Sequence, residues 1–248
     1  MRYLSKVFFA LLIISISVLL FSYYYKTKLP ISSEILEDLK NEPVQGSGED
    51  FEVINIDKGN IEYNIEPKHS YQLWGLVVAV NDNEKWYSRF KDMDPLNTKD
   101  ICVLWGDNVA NELYKNYKFS SIEYVCQYQS RGAQIDGEIL NGRQLSNNHL
   151  LPADNEIYAI IRKAKVGDQI YLEGFLSNYS VTENGRKTIN RGTSITRIDT
   201  GNGACETIYV TDFKILDIGN EMATKAFVVL AYFTLILLIL YIFALIFT

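Results

Sequence analysis

The sequence predicts a mostly β (α+β) domain flanked by an N-terminal and a C-terminal transmembrane helix. Two long runs without a charged residue, at 7–25 and 226–248, lie at the two ends of the chain. From residue 51 onward, short runs of alternating apolar and polar residues fill the chain between them. Such alternation is typical of half-buried β-strands. The sequence therefore indicates one β-rich body between two membrane spans.

The first run, VFFALLIISISVLLFSYYY, predicts a membrane span over residues 1–25 with a cytoplasmic start. About 20 apolar residues in a helix cross the hydrocarbon core of a bilayer. A cleaved signal peptide is the alternative, because Arg2 and Lys6 give the run a basic start. No small-residue cleavage motif follows the apolar core, so we predict an uncleaved anchor.

The second run predicts a transmembrane helix within residues 218–248. A buried core helix is a poor alternative, because the run is apolar on every face and lies at the end of the chain. Two spans place both termini on one side of the membrane. Lysines and arginines flank both ends of the first span, so charge discriminates little between the two orientations. We predict cytoplasmic termini and an extracytoplasmic main domain in a bacterial inner membrane. The rival orientation gives a cytosolic OB-like ligand sensor coupled to the two helices.

Residues 26–50 predict a connection between the first span and the domain. The segment ISSEILEDLK, residues 31–40, has apolar residues at helical spacing and predicts a short juxtamembrane helix. The segment NEPVQGSGED, residues 41–50, is polar with proline and glycine and predicts a linker. The β-rich domain is then expected over residues 51–217.

Seven runs within this domain predict strands, and two segments, 108–117 and 153–164, predict helices. The strand runs are 51–56, 61–66, 73–80, 101–106, 121–128, 170–181 and 206–216. An early strand with a glycine, a Gly-Asp turn into a strand with its own glycine, and a closing strand follow the order expected of a small OB-like barrel. An antiparallel sheet domain with one or two helices is the alternative.

The charge balance argues against a nucleic-acid partner, because 30 acidic residues face 24 basic ones and no basic stripe occurs. The sequence has no GxSxG, HExxH, phosphate-binding loop or CxxC pair. We therefore expect no cofactor and no metal site, and we favour a non-enzymatic protein. Its expected partners are the lipid bilayer and another envelope protein, with a glycan as the lesser alternative.

Three cysteines leave two interpretations open. Cys102 and Cys126 each lie in an apolar, strand-like run and can form a disulfide if those strands are neighbours. Cys205 is then left over. Buried, unreactive thiols are the alternative for all three.

The stretch RGTSITRIDTGNGACE, residues 191–206, has three interpretations, of which two are functional. In the first, Arg191 and Arg197 hold an anion together with the backbone amides of Gly201 and Gly203. In the second, the protein is a membrane-attached enzyme in which Cys205 is a nucleophile.

The enzyme hypothesis gives His149 the role of base and Asp199 or Glu206 the role of orienting it. It is the weakest of the three interpretations, because an anionic neighbour such as Glu206 raises the pKa of a thiol. His149 is more simply a structural histidine that bonds the backbone.

The third interpretation is architectural, and it is the one we prefer. It pairs Arg197 with Asp199, lets Asp199 accept hydrogen bonds from backbone N–H groups, and buries Cys205 at the start of the last strand. The glycines would supply positive φ angles. Turn chemistry explains each residue type without a ligand, and Asp199→Ala is then expected to cost about 1–3 kcal/mol.

Three elements together resemble a family of uncharacterised bacterial exported or membrane-anchored proteins. They are LSNNHLLPAD at 145–154, KVGDQIYLEGFL at 165–176 and RGTSITRIDTGNGACETIYV at 191–210. The resemblance covers roughly residues 70–216, and its last element is the specific one. It implies an extracytoplasmic setting and brings no activity. The span at 226–248 departs from the family pattern, in which a single membrane-directing segment at the start is expected.

Overall fold

The computed structural model describes residues 2–48, 50–86, 88, 90–122, 125–132 and 139–246. The chain divides into two compact units, one made of Met1–Pro30 with Ile218–Thr248 and the other of Ile31–Asp217. The helices are α1 (Arg2–Lys26), α2 (Phe90–Met93), α3 (Asp107–Ala110), α4 (Asn155–Lys163) and α5 (Glu221–Ile246). The strands are β1 (Val44–Gly48), β2 (Ile54–Lys58), β3 (Ile61–Asp82), β4 (Lys99–Leu104), β5 (Tyr117–Ile122), β6 (Val125–Ser130), β7 (Leu145–Pro152), β8 (Gln169–Glu183), β9 (Arg186–Arg191) and β10 (Cys205–Asp217).

The terminal helices α1 and α5 form the first unit, and both are long and apolar enough to cross a membrane. They run antiparallel, because Ser15 Oγ lies 2.6 Å from Thr234 Oγ1 and the Phe9 ring lies 5.7 Å from the Tyr241 ring. A hydroxyl pair between two apolar helices satisfies groups that hydrocarbon cannot. The two helices suggest membrane association.

The second unit is α+β and contains one large sheet. Five of its strands pair in a cycle: β3 with β4, β4 with β7, β7 with β10, β10 with β8, and β8 with β3. The β7–β10 pairing is parallel and the other four are antiparallel. We call these five strands the strand cycle. Helix α4 lies between β7 and β8 in the chain.

All five strands of the strand cycle and α4 contribute residues to the main hydrophobic core. Gly174 allows β8 and β10 to approach closely, since a Cβ there would lie 2.0 Å from the Tyr209 carbonyl oxygen. The core residues are Tyr71, Leu73, Val77, Ile101, Val103, Trp105, Leu150, Ile157, Ile161, Ala164, Ile170, Leu172, Leu176, Ile208, Val210 and Phe213.

A second core lies on the other face of β7 and β10. Leu151 belongs to it and Tyr209 packs against it, while their neighbours Leu150 and Ile208 belong to the main core. Because successive side chains of a strand point to opposite faces, this second core covers the outside of the strand cycle. Its other members come from an arm of the same sheet and one loop: Ile61, Tyr63, Ile65, Leu96, Tyr179 and Val181, with Ile54, Ile56 and Ile189 packed against them.

The segment before β1 differs from the prediction. Residues 31–40 form two short 3-10 helices, Ser32–Glu34 and Glu37–Lys40, instead of one juxtamembrane helix. A backbone carbonyl that would bond within a longer helix bonds to the domain instead, since Gly106 N donates to Leu39 O. Within the predicted linker 41–50, residues 44–48 form β1, which pairs with β3. The compact unit accordingly begins at Ile31 and not at residue 51.

A single glutamine ties the two ends of the second unit together. Gln169 is fully buried, and its Oε1 accepts from Leu36 N at 2.8 Å. Its Nε2 donates to Glu34 O at 2.7 Å and to Asp217 Oδ2 at 3.1 Å. The first and last residues of the domain are therefore held at one place.

Candidate functional site

Residues 191–206 connect β9 to β10 and contain little regular structure. A short 3-10 helix, Gly201–Gly203, stands immediately before β10. Gly201 has φ +61, as the turn prediction expects, whereas the φ of Gly203 is not positive. The amide of Gly203 donates to Thr200 O at 3.3 Å, so this amide belongs to the turn itself.

Asp199 does not pair with Arg197, so that part of the architectural interpretation is wrong. Its carboxylate accepts from Ser194 Oγ at 2.7 Å and from Thr196 Oγ1 at 2.8 Å. The same-face argument for the Arg197–Asp199 pair required a strand, and both residues lie in irregular chain. The backbone donors predicted for Asp199 are likewise replaced by hydroxyl groups. These hydroxyl groups lower the pKa of Asp199.

Arg197 pairs with Glu206, the first inward-facing carboxylate of β10. The Arg197 NH1 atom lies 2.8 Å from Glu206 Oε1 and 3.3 Å from the Tyr71 hydroxyl oxygen. The guanidinium carbon lies 5.2 Å from the centre of the Tyr71 ring. Glu206 faces the inside of the strand cycle, because Ile208 and Val210, two and four residues along the strand, belong to the main core.

This ion pair is buried on the carboxylate side and incompletely satisfied. The Glu206 side chain is 2% exposed and that of Arg197 is 23% exposed. Among the described residues, Glu206 Oε2 and Arg197 Nε and NH2 have no hydrogen-bond partner although they are buried. Burial raises the pKa of Glu206 to about 7, and Arg197 counteracts part of that rise.

A second carboxylate lies at the same end of the strand cycle. Glu42 accepts from Trp105 Nε1 at 2.8 Å and from Gln144 Nε2 at 2.7 Å. Burial raises the pKa of Tyr71, and the charges of Glu206 and Glu42 raise it further. Tyr71 is thus neutral and able to receive a hydrogen bond from Arg197.

Arg191, the second arginine of the proposed anion site, lies near a different carboxylate. Asp94 is buried and accepts hydrogen bonds from the hydroxyls of Tyr63 and Tyr179. Burial raises the pKa of Asp94, and the charge of Arg191 is among the influences that lower it. Each arginine therefore already has an acidic neighbour, which weakens the anion-site hypothesis.

The histidine of the enzyme hypothesis lies on the outer face of β7. His149 Nδ1 lies 2.7 Å from Asp100 Oδ1, and both side chains are almost completely buried. His149 Nε2 lies 3.5 Å from Asn147 Nδ2. The orienting carboxylate is therefore Asp100, which the sequence did not indicate, and not Asp199 or Glu206.

Cys205 lies on the same outer face, in register with Asn147. Burial raises the pKa of the Cys205 thiol, and the charge of Glu206 raises it further. A raised thiol pKa opposes thiolate formation and nucleophilic attack. The pKa direction does not favour a nucleophilic Cys205, although Asn147 lies beside both Cys205 and His149, and the enzyme hypothesis stays a prediction.

Cys102 and Cys126 form a disulfide with a Cα–Cα distance of 5.7 Å. Cys126 belongs to β6, which forms a separate two-stranded sheet with β5, and Cys102 belongs to β4 of the strand cycle. The disulfide thus attaches the β5–β6 sheet to the strand cycle. Within the described part of the chain, no group of three or more histidine, cysteine, aspartate or glutamate residues could hold a metal ion.

No protein-family model, characterised protein or solved structure matches this chain. The family resemblance of the 145–154, 165–176 and 191–210 elements therefore stays a prediction.

Two important groupings were missed at the sequence level. The partner of Arg197 lies nine residues further on, and Tyr71 reaches the pair from a strand that is more than 100 residues away. A buried Glu206 could have been suspected from its place in the alternating strand pattern, since it shares a face with Ile208 and Val210. No local signal indicates the role of Gln169.

Proposed function

We propose that this chain is a membrane-anchored envelope protein whose β-rich domain binds or scaffolds another protein at the membrane surface. By this proposal the strand cycle is an OB-like barrel, because its strand order, its one parallel pairing and the position of α4 agree with that fold. The domain is extracytoplasmic in a bacterial inner membrane. The Cys102–Cys126 disulfide supports that side, since disulfides persist in oxidising compartments.

The observation that carries the proposal is that apolar side chains of residues 192–204 face the solvent while a charged one faces inward. Ile195 and Ile198 are 47% and 69% exposed, while Arg197 between them turns inward to Glu206. A surface loop normally has the opposite arrangement. Neighbouring exposed apolar side chains held on a folded scaffold favour contact with another protein.

The alternative ligand surface on the outside of the strand cycle is filled by the chain itself. Leu151 and Tyr209 are covered by the second core, and Asp100 and His149 are buried. OB-like domains that bind oligonucleotides or oligosaccharides use strand faces that are open to solvent. This self-coverage favours a protein partner over a glycan.

A site-specific photocrosslinker tests the proposal in native membranes. We place the crosslinker at position 195 and, as a matched control, at position 53, because Ile195 and Val53 are 47% and 49% exposed. We expect a discrete protein adduct from position 195 and none from position 53. The absence of an adduct at 195, or equal adducts at both positions, contradicts the proposal. An adduct with an envelope polymer would favour the glycan alternative.

The orientation is tested separately. A reporter that is active on one side of the membrane only is fused after Thr248, and an alkylating reagent traps thiols in intact cells before lysis. We expect a cytoplasmic reporter and no alkylation of Cys102 or Cys126. A reporter on the outer side, together with both cysteines alkylated, would favour the cytosolic sensor.

A further inference from the structure

The tip of the 192–204 segment is held against the strand cycle by few contacts. We call residues 196–200 the loop tip. Among the described residues, no backbone hydrogen bond joins residues 196–199 to a strand. The preceding residues are fixed, since Ser194 N donates to Cys205 O and Gln45 Nε2 donates to Ile195 O, each at 2.9 Å. Arg197 is the residue of the tip whose side chain reaches the strand cycle.

The charged and titratable groups around Glu206 come from several elements. Arg197 approaches Glu206 from the loop tip, and Tyr71 approaches the same guanidinium from β3. Glu42, before β1, acts electrostatically on Tyr71, and Cys205 lies beside Glu206 on β10. Arg197 is the cation of this set and has the largest effect in favour of the ionised carboxylate, followed by hydrogen bonds from the backbone and from the Ser146 side chain.

We propose that the Arg197–Glu206 pair is a proton-sensitive latch, which holds the loop tip against the strand cycle and releases it when Glu206 takes up a proton. A neutral carboxyl suits the apolar inside of the strand cycle, whereas a charged guanidinium that loses its counter-ion does not remain stably in a half-buried position. Protonation therefore favours the tip-open state. The open tip carries Ile198 away from the domain together with Arg197.

The coupling works in both directions. Since Arg197 lowers the pKa of Glu206 in the closed state, removal of Arg197 raises the affinity of Glu206 for a proton. Protonation must then weaken the docking of Arg197 by the same factor. The range in which the tip responds to pH is set by the pKa of about 7 at Glu206.

The experiment follows the mobility of the loop tip in the full chain in detergent micelles. A nitroxide is attached at position 198 through Ile198→Cys, and another at position 53 through Val53→Cys serves as the matched control. The unsubstituted protein goes through the same labelling, which measures the background from Cys205. Electron paramagnetic resonance spectra then give the mobile fraction at each pH.

A carboxyl with a pKa of about 7 is about 3% protonated at pH 8.5 and about 97% protonated at pH 5.5. We expect the mobile fraction at position 198 to rise by up to about 30-fold over this range, with a midpoint near pH 7. The spectrum at position 53 should not change. Glu206→Gln, which mimics the protonated side chain, should give a mobile tip at every pH.

Two further variants keep the latch falsifiable. Arg197→Gln removes the cation without touching the inside of the strand cycle, so it should free the tip at every pH even if Glu206→Gln does not fold. Asp199→Asn should keep a transition between pH 5.5 and 8.5, because the pKa of Asp199 is lowered and its titration is not the one that releases the tip. An unchanging spectrum at position 198 between pH 5.5 and 8.5, or a transition that persists in Arg197→Gln, would overturn the proposal.

Discussion

Replacing Gln169 with leucine removes the three hydrogen bonds that join both ends of the β-rich unit. The side chain is fully buried and contacts Leu36 N, Glu34 O and Asp217 Oδ2 at 2.8, 2.7 and 3.1 Å. A typical buried hydrogen bond contributes about 1 kcal/mol, and one to a carboxylate contributes about 1.5–3 kcal/mol. Leucine recovers a little of this by burying apolar surface. We expect a loss of about 3 kcal/mol in the free energy of unfolding.

The assay is thermal and urea unfolding of the full chain in micelles, followed by near-ultraviolet circular dichroism. For a domain of 150–250 residues, a loss of about 3 kcal/mol lowers Tm by about 6–12 °C. Gln169→Glu is the matched variant, since it keeps an acceptor for Leu36 N but places a second carboxylate beside Asp217. It should be more destabilised at pH 8 than at pH 5, where the new carboxyl can take up a proton. A Gln169→Leu protein whose free energy of unfolding lies within about 0.5 kcal/mol of the wild-type value would refute the stabilising role of Gln169.

Four further predictions follow from single contacts. Because the folded pKa of Glu206 is raised from 4.5 to about 7, the stability it contributes is fully present below pH 4.5 and is lost as pH rises through 7. Urea unfolding between pH 5 and 9 should show a decline of at most about 3 kcal/mol, which Glu206→Gln abolishes. Reduction of the Cys102–Cys126 disulfide, which closes a loop of 24 residues, should cost about 3 kcal/mol, and urea unfolding with and without a reductant measures it. Gly174→Ala should destabilise the domain by more than about 2 kcal/mol in thermal unfolding, since the new Cβ meets a backbone carbonyl of β10 at 2.0 Å. Asp199→Ala should cost less than about 1 kcal/mol in the same assay, below the sequence-based expectation, because its partners are hydroxyl groups at the surface.

The elements that the sequence predicted are those whose folding depends on a local pattern. The two charge-free runs lie in α1 and α5, and the alternating runs form most of the strands. Helix α4 starts at Asn155 with Asp154 as its N-cap, which accepts from Glu156 N and Ile157 N. In these segments periodicity and capping require no distant partner.

The elements that were missed are polar segments whose burial depends on partners elsewhere in the chain. Strand β7 reads LSNNHLLP, and its polar side chains are buried because Asn148 Nδ2 reaches Ile101 O and His149 reaches Asp100. Strand β1 reads VQGSG and forms because β3 offers it an edge. Hydropathy cannot indicate such strands, since hydrogen bonds from other strands replace the apolar signal.

The same distinction explains the 191–206 stretch. The positive φ of Gly201 was predicted from turn chemistry, whereas the Ser194 and Thr196 hydroxyls that bond Asp199 were not. The partner of Arg197 was not readable, because β10 begins between Arg197 and Glu206 and turns the carboxylate inward. By the latch proposal, a buried carboxylate whose cation, among the described residues, stands on a loop makes the position of that loop depend on protonation. The stretch that looked architectural from its sequence would therefore also respond to pH.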